Sequence, residues 1–239
     1  MKLINFQSVF DTPTVPLSKL NEQAQTQDGR IWEYLQATEI ITKHMVVSNP
    51  ANTTVATVSS SQNALLQNIY ITESSASWTA GEFQDHWLLV NAGTGSGQVA
   101  KIKDNTYCSS SAGTIELYVD YALATALAVA DSGIAIRHEP QAEKTPVDTL
   151  LTPLKGVAQV TFAALDYGWF LKRGIGGVLG RAVMTINRII SPGGDTTEGE
   201  AIVIPIASGD EFGEYSVVGR VLVANSAADL AALVDINIF

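Results

Sequence analysis

The chain has 239 residues, 46% of them hydrophobic and only 16% charged, with 14 Lys and Arg against 24 Asp and Glu and a formal net charge of −10. That charge content is below the roughly 25% of an average soluble domain. The only adjacent basic pair is Lys172-Arg173, so the clustered footprint that neutralises nucleic-acid phosphates is missing, and acidity opposes attraction to anionic lipid.

Residues 1–30 differ from the rest. Phe6, Phe10, Val15 and Leu17 are scattered among Pro13, Pro16 and polar residues, and Asn21 to Asp28 is almost wholly polar. A short helix over Ser18–Gln25, capped by Ser18, fits this stretch. The remainder reads as an extended arm that docks its few large apolar residues on another surface. The N-terminus lacks the apolar core of a signal peptide, and no run approaches the roughly 18 apolar residues of a membrane span. The expectation is a protein made and kept in a cytoplasm, or in something assembled there. The sequon at Asn52-Thr53-Thr54 is then without consequence.

From Arg30 onward the pattern is β. Ile31 to Gln36 alternates apolar and polar residues, as a half-buried strand does. Val46-Val47, Val55–Val58 and Leu65–Thr72 continue the series. An apolar run at Trp87–Val90 enters a glycine-rich bend (Gly93, Gly95, Gly97), and Gln98–Lys103 leaves it, which is a hairpin signature. Ile115–Val119 alternates again. Tyr121–Ala130 (YALATALAVA) is helix-prone and predicts one or two helical turns before a return strand at Ile134–His138. Glu139–Thr149, with Pro140 and Pro146, reads as a linker.

The second half repeats the texture. Tyr167–Leu171 is followed by glycines at 174, 176, 177 and 180, then by Ala182–Ile190. Ser191-Pro192-Gly193-Gly194-Asp195 is a turn. Ile202–Ile206, Tyr215–Val223 and the strictly alternating Leu233–Phe239 are strands. Short strands with turn signals at this spacing predict a mainly all-β protein of two β-sandwich or barrel-like domains. The expected division is an arm over 1–30, a first domain over 31–145 and a second over 146–239.

Motifs that resemble catalytic or binding signatures fail their context tests. Gly93–Gly97 is followed by Gln98 where a phosphate loop needs Lys and a hydroxyl, and it leads into a strand rather than a helix. Gly174–Gly180 has its third glycine one residue late for a dinucleotide fingerprint. Its glycines read instead as bends in a tight β domain. His44, His86 and His138 have no second ligand at metal spacing. Asp210, Glu211 and Glu214, beside Gly209 and Gly213, read as a solvated turn. The serine runs at 59–61 and 109–111 read as loops, and no Gly-x-Ser-x-Gly elbow is present. The single cysteine, Cys108, permits no intramolecular disulfide and reads as a small buried hydrophobe. Trp32, Trp78, Trp87 and Trp169 read as core or interface residues, with a carbohydrate platform as the alternative. No catalytic residue, cofactor, metal or small-molecule substrate is expected.

The order of several phrases carries a resemblance. They are the hairpin with Asn91-Ala92-Gly93-Thr94-Gly95-Ser96-Gly97-Gln98 and Val99–Thr106, then Gly113–Leu117 with Leu123–Ala130, then a strand ending in His138-Glu139-Pro140. Tyr167-Gly168-Trp169 before a glycine-rich stretch and Val218–Leu222 before a closing alternating strand complete the set. Over roughly residues 30–239 this resembles virion structural proteins of tailed phages, of the capsid decoration or cement type. Phe170-Leu171-Lys172-Arg173 stands where a polar, Gln-like run belongs in that pattern.

The resemblance implies a non-enzymatic bacteriophage structural protein, located on the capsid exterior of the virion and assembled in the host cytoplasm. It implies a homotrimer that binds the major capsid protein and bridges its subunits. Phe6, Phe10, Val15 and Leu17 are then the candidates for capsid docking. The alternatives are another exterior component, such as a tail or fibre adaptor that binds glycan, and a hydrolase with dispersed acidic residues.

Overall fold

The computed structural model describes residues 1–49, 53–72, 78–109, 113–129, 131–137, 140–145, 153–193, 198–204 and 216–238. It is an all-β protein. Contacts divide it into two compact units, one built from Met1–Asn49 with Pro140–Phe239 and one from Pro50–Glu139. The expected domains over 31–145 and 146–239 do not coincide with these units. One unit is discontinuous and the other is inserted into it. The first strands of the discontinuous unit pair with strands more than a hundred residues later, and sequence texture carries no mark of such pairing.

The inserted unit is a closed six-stranded antiparallel barrel. Its strands are β5 (Thr53–Val58), β6 (Asn68–Thr72), β7 (Trp87–Ala92), β8 (Val99–Asn105), β9 (Thr114–Val119) and β10 (Gly133–Arg137). They close in the order β10-β5-β6-β9-β8-β7. Alternation fixes which side faces in. Val58, Ile69, Ile71, Leu88, Val90, Ile102, Ile115, Leu117, Ile134 and Ile136 fill the interior, and Phe83, Cys108, Leu123 and Leu127 from the connections pack against them. The hairpin read at 87–103 is β7 paired with β8.

Tyr121–Val129, the described part of the run YALATALAVA, is not helical. Leu127 exchanges two backbone hydrogen bonds with Gln62, and the Leu123 carbonyl accepts the Leu65 N–H. The strand-like path puts Leu123 and Leu127 against the barrel core, and that burial outweighs the helix propensity of Ala and Leu.

The discontinuous unit is an eleven-stranded sheet with extra pairings that close it on itself. Its strands are β1 (Lys2–Leu3), β2 (Gln23–Gln25), β3 (Ile31–Ala37), β4 (Val46–Ser48), β11 (Gln141–Lys144), β12 (Leu154–Ala158), β13 (Tyr167–Gly180), β14 (Ile189–Pro192), β15 (Ala201–Val203), β16 (Gly219–Val223) and β17 (Leu230–Asn237). Two circuits share β13. The first runs β3-β11-β4-β12-β13 and returns to β3. Leu35, Ala37, Ala142, Val47, Ala158 and Phe170 fill it, with Phe162 stacked on Phe170 at 4.5 Å. The second runs β13-β15-β14-β16-β17 and returns to β13. Val178, Ala201, Ile190, Val221, Ala232, Val234 and Ile236 fill that one.

The glycines of 174–180 therefore lie inside a 14-residue strand, not in a loop of bends. Only Gly174 has a left-handed φ, +112°. The others give space. A Cβ on Gly176 would strike Leu171 and Ile236, one on Gly177 would strike the His44 ring, and one on Gly180 would strike Met184. Other local expectations also shift. Gln23–Gln25 is a strand rather than the end of a helix, after a turn in which Asn21 takes φ +59°. Ser191 and Pro192 belong to the end of β14 rather than to a turn, and Gly194 and Asp195 of the expected turn lie outside the described residues.

One of the close approaches gives a test. A Cβ on Gly219 would collide with the backbone of Asp235 and Ile236 on the paired strand, which no rotamer change relieves. Gly97 has φ +90° but open space around it. Gly219→Ala is expected to lose about 1–3 kcal/mol from overpacking, and Gly97→Ala about 1 kcal/mol from the left-handed backbone alone. Urea midpoints of the two variants check the difference.

Candidate docking surface

The N-terminal segment is anchored by a few main-chain and apolar contacts. Lys2 and Leu3 pair in parallel with Ala24 and Gln25, and the Ile4 N–H donates to the Gln25 carbonyl at 3.0 Å. Asn5 caps a one-turn 3-10 helix over Phe6–Phe10, its Oδ1 accepting the Gln7 N–H at 3.0 Å. That turn drives Val9 into the core of the discontinuous unit, where it is fully buried. Farther along, Tyr167 N–H donates to the Pro13 carbonyl, and the Leu17 N–H donates to the Tyr34 hydroxyl. The expected extended arm is thus a segment folded onto its own unit. Val9 holds it there, at a position that the sequence reading passed over. The spacing of Phe6, Val9 and Phe10 around a single turn is the signal that separates them.

The four residues singled out from the sequence stay on the outside. Phe6 is 46% exposed, Phe10 37%, Val15 62% and Leu17 68%, and Met1 and Leu3 add to the same stretch of chain. Phe6 and Phe10 meet edge to face, with centroids 5.2 Å apart. The Arg30 guanidinium lies 4.7 Å from the Phe6 centroid and 5.4 Å from that of Trp32. Asp28 holds that guanidinium at 2.7 Å. Hydrogen bonds from Arg30, then from Thr26, bring the Asp28 carboxyl down to about 2. Phe6 is therefore pre-positioned by a fixed cation rather than by burial.

Two clefts flank the segment. One of about 540 Å³ is lined by Leu3, Ile4, Asn5 and Phe6 with Thr26, Gln27 and Asp28. The other, about 310 Å³, includes Leu3, Ser8, Leu17, Tyr34 and Trp169 in its wall. Leu17 is thus brought beside Leu3 and Ser8, whereas Val15 simply stands exposed. Lys2–Leu3 is also the end strand of its sheet, so among the described residues no strand lies beside its outer backbone edge.

The glycine loop at 93–97 is occupied from within. Thr94 donates both its N–H (2.7 Å) and its hydroxyl (2.6 Å) to Asp131, lowering that carboxyl below its usual range. The donors that a phosphate would need hold a carboxylate of the same barrel. His86 is buried against Phe83, with Nδ1 3.0 Å from the Gln84 carbonyl. Among the described residues no three His, Cys, Asp or Glu side chains form a metal-holding group. His138 and the acidic stretch at 210–214 lie outside the described residues. Trp32 and Trp169 are core residues, Trp78 packs on the barrel core, and Trp87 is 43% exposed.

Two ionisable groups matter for stability. Glu33 lies on the same face of β3 as Leu35 and Ala37, so it sits at an end of the first circuit's interior. There Lys172 Nζ is 2.7 Å and Lys155 Nζ 3.6 Å from its carboxylate. All three side chains are largely buried. His44 takes φ +74° just before β4. Its N–H donates to the Ala158 carbonyl and its own carbonyl accepts the Leu179 N–H. Burial, reinforced by Lys43, lowers the imidazole pKa from 6.5, against a hydrogen bond with the Gly177 backbone.

No protein-family model, no curated protein and no solved structure matches this chain.

Glu33→Ala leaves two buried ammonium groups without the carboxylate and is expected to cost about 3–5 kcal/mol, read from urea denaturation. For His44 the native state resists protonation while the unfolded chain takes a proton near 6.5. Stability is then full above 6.5 and declines as pH falls through 6.5 toward the lowered native value. His44→Asn, which tolerates the left-handed backbone, is expected to remove this acid-side decline in a denaturation series from about pH 8 to about pH 5.

Proposed function

We propose that this chain is a capsid decoration, or cement, protein of a tailed phage, which binds the outer surface of the head and bridges major capsid subunits to brace the shell. The reading rests first on the resemblance in the order of sequence phrases. The observation that carries the docking part is the N-terminal segment. It places Phe6, Phe10, Val15 and Leu17 outward on a backbone that is itself anchored to a rigid β unit. Six exposed large apolar residues within the first 17 positions form a surface that water alone does not favour.

The rest of the molecule suits a brace. Closed β circuits give stiffness without long flexible elements. The open edge at Lys2–Leu3 can receive a strand from a shell protein, adding main-chain hydrogen bonds to apolar contacts. Assembly as a homotrimer multiplies modest contacts into high avidity. Low positive charge disfavours capture of nucleic acid.

The test uses particles stripped of the protein and then reconstituted. Val15→Ser and Leu17→Ser change exposed side chains while keeping the backbone bond from Leu17 to Tyr34. The double variant is expected to fold normally and to lose shell binding by about tenfold or more. Particles carrying it are expected to rupture at lower temperature than those carrying the wild type. Equal retention of wild type and variant on the shell, or wild-type binding to tails or glycans with the heads unaffected, overturns the docking assignment.

A further inference from the structure

The outer face of the inserted barrel carries an arrangement unrelated to the N-terminal segment. In the antiparallel pair β6–β9, Tyr70 lies opposite Glu116 and Asn68 opposite Tyr118. All four point outward, because Ile69, Ile71, Ile115, Leu117 and Val119 take the interior. Glu116 collects three donors. Oε1 accepts the Asn68 amide at 2.7 Å and the Tyr70 hydroxyl at 3.0 Å, and Oε2 accepts the Tyr118 hydroxyl at 2.9 Å.

These bonds dictate how the rings lie. Residues two apart on one strand are separated by about 6.6 Å. A tyrosine standing off the sheet would hold its hydroxyl above the reach of a carboxylate rooted in the same surface. Tyr118 bonds to the residue two places back on its own strand, so its ring lies along β9. Tyr70 bonds to the residue directly opposite, so its ring leans across the strand pair. Both hydroxyls are thereby held down at the sheet surface, and Glu116 pins both.

The side-chain charges that act on the two phenols are carboxylates. Asp104 on β8 is exposed and pairs with Tyr118. Glu116 acts on both phenols and Asp104 on Tyr118 alone, and the hydrogen bonds to Glu116 are the main cause that raises both phenol pKa values. The barrel sequence holds eight Asp and Glu against Lys101, Lys103 and Arg137. Lys101 is held by Asp85, and Lys103 stands 4.0 Å from Asp120.

We infer that this face is a receptor for a cationic side chain, an arginine or lysine presented by a partner protein. The guanidinium or ammonium lies over the tyrosine faces, within reach of the Glu116 and Asp104 carboxylates. Ring quadrupole and carboxylate attract the same cation, and the acidic barrel steers a basic partner towards it. A neutral sugar can stack on the rings but gains nothing from the two charges. The inference does not rest on the N-terminal docking reading, and its test needs no shell.

The experiment titrates the purified full chain with a triarginine peptide, followed by calorimetry and by the NMR signals of Tyr70 and Tyr118. Triglutamate and chitotriose serve as comparisons. Triarginine is expected to shift both tyrosines, with binding that weakens as salt rises from about 0.05 M to about 0.5 M. Glu116→Gln and Asp104→Asn, near-isosteric changes, are each expected to lower affinity about tenfold, while Tyr118→Leu lowers it more than Tyr118→Phe. If Tyr118→Leu does not fold, the two carboxylate variants carry the test. Triarginine binding equal in wild type and both carboxylate variants overturns the inference. So does chitotriose shifting the tyrosines while triarginine leaves them unmoved, or no shift with any probe.

Discussion

One strand has to serve two interiors. β13 pairs with β3 and β12 along its first half and with β17 and β15 along its second, so its alternate residues line first one closed circuit and then the other. A chain of bulky residues would fill that shared wall from both sides at once. Glycines at 168, 176, 177 and 180 remove the conflict by letting Phe162, Leu171, His44 and Met184 approach the backbone itself. This constraint explains a composition that otherwise looks like a flexible loop. It also makes the unit discontinuous in sequence. The first circuit needs β3 and β4 from before the insertion, and β11, β12 and β13 from after it.

The inserted barrel solves its packing differently. Its strands alternate cleanly, so the interior is filled by Ile, Leu and Val with little adjustment. The places where chain ends must be closed use polar side chains as staples. Asn105 accepts the Phe83 N–H and donates to the Thr79 and Thr106 carbonyls, while Gln98 ties Gly95 to Thr125. Such groups satisfy backbone atoms that a strand cannot pair, and they fix loops that composition alone would leave free. The glycine-rich loop at 93–97 is rigid in this sense, being bound to Asp131 and Ser132.

Function then belongs to what each unit leaves outside. In the discontinuous unit six exposed large apolar residues fall within the first 17 positions, whose backbone is held by Val9, Pro13 and Tyr34. In the barrel the surplus is aromatic and anionic, ordered by Glu116. In the roles proposed for them, the first surface acts through apolar area and the second through a locally concentrated negative field. That division suits the proposed brace, held at one place and recognising a neighbour at another.

The all-β class, the strand runs read at 31–36, 87–90, 115–119 and 233–239, which overlap β3, β7, β9 and β17, and the hairpin at the glycine bend were legible in the sequence, because a period of two records which side of a strand faces a core. The outward placing of Phe6, Phe10, Val15 and Leu17 was legible too, since proline and polar neighbours deny them a core of their own. The sequence could not show that Val9 turns inward, that Leu123 and Leu127 abandon helix for a barrel plug, or that Glu33 meets two lysines from strands more than a hundred residues away. Nor could it reveal the division into an inserted barrel and a split unit. These depend on long-range pairing, which local propensity and spacing do not encode, and only the tertiary structure brings those side chains to one place.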